Sequence, residues 1–152
     1  MQIPIESDEK LLTEYGRAFV WINTVEALLE RLIWFKGKKF DSEEKISNDL
    51  EKKTLGDKIP ILNKYWDENP LEKDLKNLNE DRKILAHSPV STAIIDNGDG
   101  KKMYHMLLGK LGMNVKKELN EGYLNEITVK ARSTSGQIQQ IIMEEIRLGK
   151  NQ

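Results

Sequence analysis

From Leu11 onward, apolar residues recur at helical spacing: Leu11, Tyr15, Phe19, Ile22, Leu29 and Ile33 mark one face of an α-helix. Leu12, Val25, Leu28, Leu32 and Phe35 widen that face. A helix apolar around so much of its girth belongs at the centre of a bundle or in a contact between subunits. Ser7 is the expected N-cap, with Asp8 and Glu9 in the positive first turn. Gly37 ends the helix, and Lys36, Lys38 and Lys39 gather at its negative end as a solvated cap. Glu26 and Glu30 lie among the apolar positions and are candidates for structural ion pairs.

Further along, Ser42 with Glu43 and Glu44 opens a short helix through about Leu50, and Thr54 with Asp57 resembles a capping box with aspartate in place of glutamate. The helix that follows, Leu55 to Trp66, turns Ile59, Leu62 and either Tyr65 or Trp66 inward and is bent at Pro60. Asn69-Pro70 makes a turn into a helix whose stripe is Leu71, Leu75, Leu78 and Leu85. Val90 to Ile95 is rich in β-branched residues, Asp96 to Gly100 reads DNGDG, and Lys101 to Leu108 alternates weakly, which together predict a β-hairpin. Gly109 to Leu119 carries no clear period. From about Asn120, Leu124, Ile127, Ala131, Ile138, Ile141, Ile142 and Ile146 predict a long final helix, weakened in its middle by Ser133 to Gly136. The pattern predicts a mainly α fold: an up-down helical bundle with a β-hairpin inserted before the C-terminal helix, in one domain spanning 1–152.

One residue breaks the pattern. At about 100° per residue, Arg82 falls inside the leucine stripe of its helix. Arginine keeps its charge on burial, so it needs a carboxylate, a subunit boundary or an anionic ligand. Glu26 or Glu30 could serve as its counter-ion. Proline disfavours helical geometry in the residue before it, so the helix ends at His87 or Ser88. His87 therefore sits in the last turn, where unpaired carbonyls interact favourably with a charged imidazole. A rigid helix rotates His87 roughly 140° from Arg82 and carries it about 7.5 Å along the axis. Two copies of the helix facing each other bring these groups together more easily than one.

RKILAH, Arg82 to His87, with Leu78 upstream and Ser88-Pro89 behind it, resembles the Arg-x4-6-His motif of HEPN domains, small all-helical proteins of which many are metal-independent endoribonucleases. The apolar first helix and the Thr54-Leu55-Gly56 opening of a middle helix are similar too. The resemblance implies a HEPN-like bundle, a homodimer whose antiparallel protomers share a cleft, an RNA substrate, and no metal or cofactor. It further implies that Arg82 and His87 are catalytic. His87 would act as general base or acid on the ribose 2′-hydroxyl, Arg82 would hold the phosphate, and Lys83 would contribute to substrate binding. The setting it implies is bacterial defence or a toxin–antitoxin pair, with an antitoxin protein as a further partner. Lys83 stands where active members usually carry Asn, Asp or His. The alternative is an inactive HEPN-like helical dimer that binds a partner protein or RNA.

Composition narrows the choice. The 152 residues include 24 basic and 25 acidic ones for a net charge of -1, so no broad electrostatic grip on nucleic acid is available and DNA is not an expected partner. No cysteine is present, which permits a reducing cytoplasm and excludes thiolate chemistry. Mean hydropathy is -0.60. The MQIPIESDEK start lacks a secretory pattern and no stretch suits a bilayer, so the expected location is cytoplasmic, without membrane contact. GxGxxG, Walker, GxSxG and HExxH motifs are all missing. DNGDG fails as a calcium loop because Gly98 and Gly100 occupy ligand positions, and His105 reads as an ordinary strand residue rather than a metal ligand.

Overall fold

The computed structural model describes residues 8–88, 90–96, 98, 100–109 and 115–150. Five helices dominate a mainly α architecture: α1 (Glu9–Gly37), α2 (Glu43–Leu50), α3 (Leu55–Tyr65), α4 (Glu72–His87) and α5 (Glu121–Lys150). Between α4 and α5 stands an antiparallel sheet of β1 (Val90–Asp96), β2 (Lys101–Leu108) and β3 (Val115–Leu119), in the order β1-β2-β3. The hairpin expected from the sequence is β1 with β2, pairing Val90 with Leu107 through Asp96 with Lys101. The sheet gains a third strand from the stretch without a clear period. Among the described residues no helix is long and apolar enough to cross a membrane.

The two longest helices lie side by side and parallel. Lys10 near the start of α1 meets Glu121 at the start of α5 at 3.3 Å, while Lys36 and Lys39 at the far end of α1 hold Glu145 at 2.6 and 2.9 Å. Between these ties, Ala18, Ile22, Val25, Leu29, Leu32 and Ile33 of α1 join Leu124, Ile127, Ala131, Ile138 and Ile142 of α5 in a core closed to water. The α4 leucines Leu75, Leu78 and Leu85 enter the same core, as the stripe predicts. Ile59 and Leu62 of α3 point inward, and Tyr65 is half-buried, its hydroxyl donating to Asp41 at 2.6 Å. Gly37 lets that ring come close, since a Cβ there would lie 2.9 Å from Tyr65.

Some expectations fail at the margins of elements. Asp8, not Ser7, caps α1 by accepting from the Leu11 amide at 3.0 Å; Ser7 lies outside the described residues. Leu12 is exposed, because a helix offers the core only part of its girth. In the last turns of α5 the roles of neighbours are inverted: Ile146 is exposed and Glu145 buried, held in place by its two lysines. Of the DNGDG turn, Asn97 and Asp99 lie outside the described residues; Gly98 and Gly100 adopt φ of +87 and +109, and the Gly98 amide donates to Asp96. The Thr54 cap forms as read, its amide and hydroxyl both donating to Asp57.

Burial pushes the Glu145 carboxyl up, but the hydrogen bonds and charges of Lys36 and Lys39 outweigh this and hold it below its ordinary range. A carboxyl lowered on folding stabilises the native state fully above its unfolded value, and that contribution is lost as pH falls through the folded value. Glu145→Gln is therefore expected to lower stability by about 2 kcal/mol at neutral pH. In urea titrations across pH, the difference from wild type should shrink once pH drops below about 4.3; a constant difference would assign the loss to packing instead.

Candidate functional site

At the C-terminal end of α4, Arg82, Lys83 and His87 line one open cleft of about 350 Å³, together with Glu80, Ile84, Ser88, Leu108 and Gly109. The three residues singled out in the sequence are thus brought to a common space, although the helix alone turns Arg82 and His87 apart. The end of β2 supplies the opposite wall. Ser88 is the C-cap of α4, its amide donating to the Ile84 carbonyl at 3.0 Å, so the helix stops where the Ser-Pro signal places the stop. Tyr15 of α1 ties this turn down, its hydroxyl donating to the Leu85 carbonyl at 2.5 Å. Half-burial of that phenol pushes it above its ordinary range.

The electrostatic surroundings of Arg82 differ from one expectation. Glu26 and Glu30 do form an ion-pair group, but with Lys58 of α3: its Nζ lies 2.6 Å from Glu26 and 2.8 Å from Glu30. Burial pushes the Lys58 ammonium down, and the two carboxylates reverse this to a net rise. Neither glutamate is the counter-ion of Arg82. The reason is positional, because α3 lies against that stretch of α1 and presents a cation of its own. The neighbouring Asp81 is engaged by Lys130 of α5 at 2.7 Å. Asp57 is held below its usual range first by hydrogen bonds from Thr54, with only a lesser pull from Lys53 and Arg82.

Among the described residues, Arg82 has no carboxylate at ion-pair distance. Its guanidinium is held by a neutral group: Nε and Nη2 donate to Asn79 Oδ1 at 3.4 and 3.3 Å. Asn79 is buried under Gly56, where a Cβ would lie 2.5 Å from its Nδ2. Gly56 therefore lets α3 approach α4 closely, Asn79 fills the contact, and Asn79 aims Arg82. A guanidinium held by one amide oxygen keeps donors for a phosphate or carboxylate, which it binds in paired fashion. Lys83 makes a 3.3 Å surface pair with Glu80; exposed pairs of this kind contribute under about 1 kcal/mol, so an anion can displace Glu80. His87 is exposed, with no hydrogen bond among the described residues.

Elsewhere, His105 is the strand residue expected. It is 3% exposed, its Nδ1 lies 2.8 Å from Thr92 Oγ1, and its Nε2 stands 3.8 Å from Asp8 Oδ2. Among the described residues no three of His, Asp and Glu converge as a metal ligand set. A larger groove of about 430 Å³ between α1 and α2, lined by Arg31, Trp34, Glu43 and Ile46, contains no imidazole. Asn79, Leu108 and Tyr15 escape a sequence reading of the site. Asn79 alone leaves a trace, as a polar residue one step before Glu80 and three before Arg82, a spacing at which helical side chains meet. No family model, curated protein or solved structure matches the chain.

Gly56→Ala is expected to push Asn79 aside and release Arg82 at a cost of about 1 to 3 kcal/mol. The Arg82 side-chain Nε–H resonance should shift in nitrogen-proton spectra of the variant. An unmoved resonance in a destabilised variant would show that Asn79 does not position the guanidinium.

Proposed function

We propose that the protein is an endoribonuclease acting as a homodimer, with Arg82 and His87 as catalytic residues and Lys83 binding substrate. The observation that carries this reading is Arg82: a guanidinium without a carboxylate partner among the described residues, opening on one cleft with an imidazole and an ammonium. A net charge of -1 suits an enzyme that touches a few phosphates rather than one that coats a nucleic acid. The likeness of RKILAH to the HEPN motif supports the same reading.

In the mechanism, neutral His87 takes the proton from a ribose 2′-hydroxyl, and the 2′ oxygen attacks the adjacent phosphorus. Charge builds on the non-bridging oxygens, where Arg82 donates paired hydrogen bonds and Lys83 adds a point charge. The bond to the 5′ oxygen breaks, leaving a 2′,3′-cyclic phosphate, and the departing oxygen takes a proton from an imidazolium. In a homodimer the second copy provides that imidazolium while the first copy accepts, so base and acid are separate groups. The other reading, a non-catalytic helical dimer that binds a protein or RNA, draws on the Lys83–Glu80 pair, which occupies part of the cleft.

Purified protein incubated with total RNA in EDTA should produce fragments ending in cyclic phosphate. His87→Ala and Arg82→Ala should each lower the rate about 100-fold or more while far-ultraviolet circular dichroism is unchanged. Light scattering should give twice the 17.6 kDa of one chain. Inert wild-type protein that nevertheless binds RNA would leave the non-catalytic reading in place. Glu80→Gln, which frees Lys83, is expected to tighten binding of a short RNA about twofold to fivefold in low salt; weaker binding would place Lys83 outside the substrate path.

A further inference from the structure

The cleft has two unlike sides. On α4, Glu80, Arg82, Lys83 and His87, with Ser88 as the cap behind them, make a polar side interrupted by Ile84, while Leu108 at the end of β2 is the apolar residue that a second element contributes. Ile84 is packed against the core, whereas Leu108 is half-buried and stands apart from that packed set. Strand alternation explains the difference: Leu107 is wholly buried, and Leu108, one residue on, faces the other way. The sheet also loses step at this place. Leu107 lies opposite Lys117 and Leu108 opposite Val115, so β3 uses two residues where β2 uses one. The extra residue belongs to β3, so the bend falls on that strand and not on Leu108, and irregularities of this type are enriched beside functional sites.

We infer that Leu108 is a base-contacting residue, packing against one nucleobase next to the phosphate that Arg82 and Lys83 hold. This inference rests on the ribonuclease reading and names a substrate contact that the cationic residues cannot supply. A phosphate needs only the polar side. A recess of about 350 Å³ with an apolar far wall takes a nucleoside as well, since small-molecule sites begin at about 300 Å³. The Leu108 side chain has no hydrogen-bonding atom, so it contacts a base by area alone and cannot read a Watson–Crick edge. The preference it creates is for size: a purine covers more of the wall than a pyrimidine.

The test uses the full chain with two substrates that differ in the base beside the cleaved bond, and a non-cleavable dinucleotide carrying a 2′-O-methyl group. Leu108→Ala should raise KM about tenfold with kcat within about twofold, weaken the dinucleotide by a similar factor, and leave inorganic phosphate binding unchanged. The purine preference in KM should fall away in the same variant, and Leu108→Met, which restores apolar volume, should recover it. Thermal unfolding of both variants close to wild type keeps the comparison valid, because Leu108 lies outside the packed core. Cleavage with equal KM in wild type and Leu108→Ala overturns this inference and leaves the ribonuclease reading standing. Absence of both cleavage and dinucleotide binding in wild type overturns the two together.

Discussion

The parallel contact between α1 and α5 is the constraint under which the other elements find their places. Helices of 29 and 30 residues are each about 44 Å long at 1.5 Å per residue, and a parallel pair obliges the chain to travel back along that whole length between them. The helices α2, α3 and α4 and the sheet make the return, and α4 brings its C-terminal end to the start of α1, where Tyr15 holds Leu85. Parallel helices also set like dipole ends side by side. Acidic residues at the starts, Asp8, Glu9 and Glu121, and basic ones at the ends, Lys36, Arg147 and Lys150, oppose that repulsion. Glu145 then locks the far end by taking Lys36 of α1 and Lys39 just beyond it.

This arrangement accounts for the contrast between two cations of the inner surface. Lys58 faces α1 and finds Glu26 and Glu30, so its charge is spent within the fold. Arg82 lies further round α4, beyond the reach of those glutamates, and its neighbour Asp81 turns to Lys130 on α5. What holds Arg82 is an amide oxygen, which orients a guanidinium without neutralising it. The distinction matters for the proposed chemistry: a cation already paired in a buried bridge has no charge to offer an incoming anion, whereas one that is oriented and, among the described residues, has no carboxylate at ion-pair distance does.

Much of the fold was legible in the sequence. The long apolar first helix, the Thr54 cap, the leucine stripe of α4 with its stop at Ser88, the β1–β2 hairpin and the start of α5 all follow from periodicity, capping residues and turn residues that act over a few neighbours. β3 was not legible, because a polar edge strand of five residues has too little alternation to stand out and is made a strand by its partner. Arg82 and His87 could be named as candidates from an out-of-place charge and a helix end. Their meeting in one cleft could not, since it depends on β2 closing over the end of α4.

By itself, then, the chain determined its local elements and which residues on them were chemically unusual, because spacing, caps and breakers act within a turn or two of helix. The tertiary structure alone decided the partners. Glu26 and Glu30 went to Lys58, Asn79 was clamped by Gly56 and aimed Arg82, and Leu108 became a wall of the cleft. The physical reason is that ion pairs and close packing are settled by which surfaces arrive within a few ångströms of one another, and residues distant in sequence acquire that proximity only when the core closes.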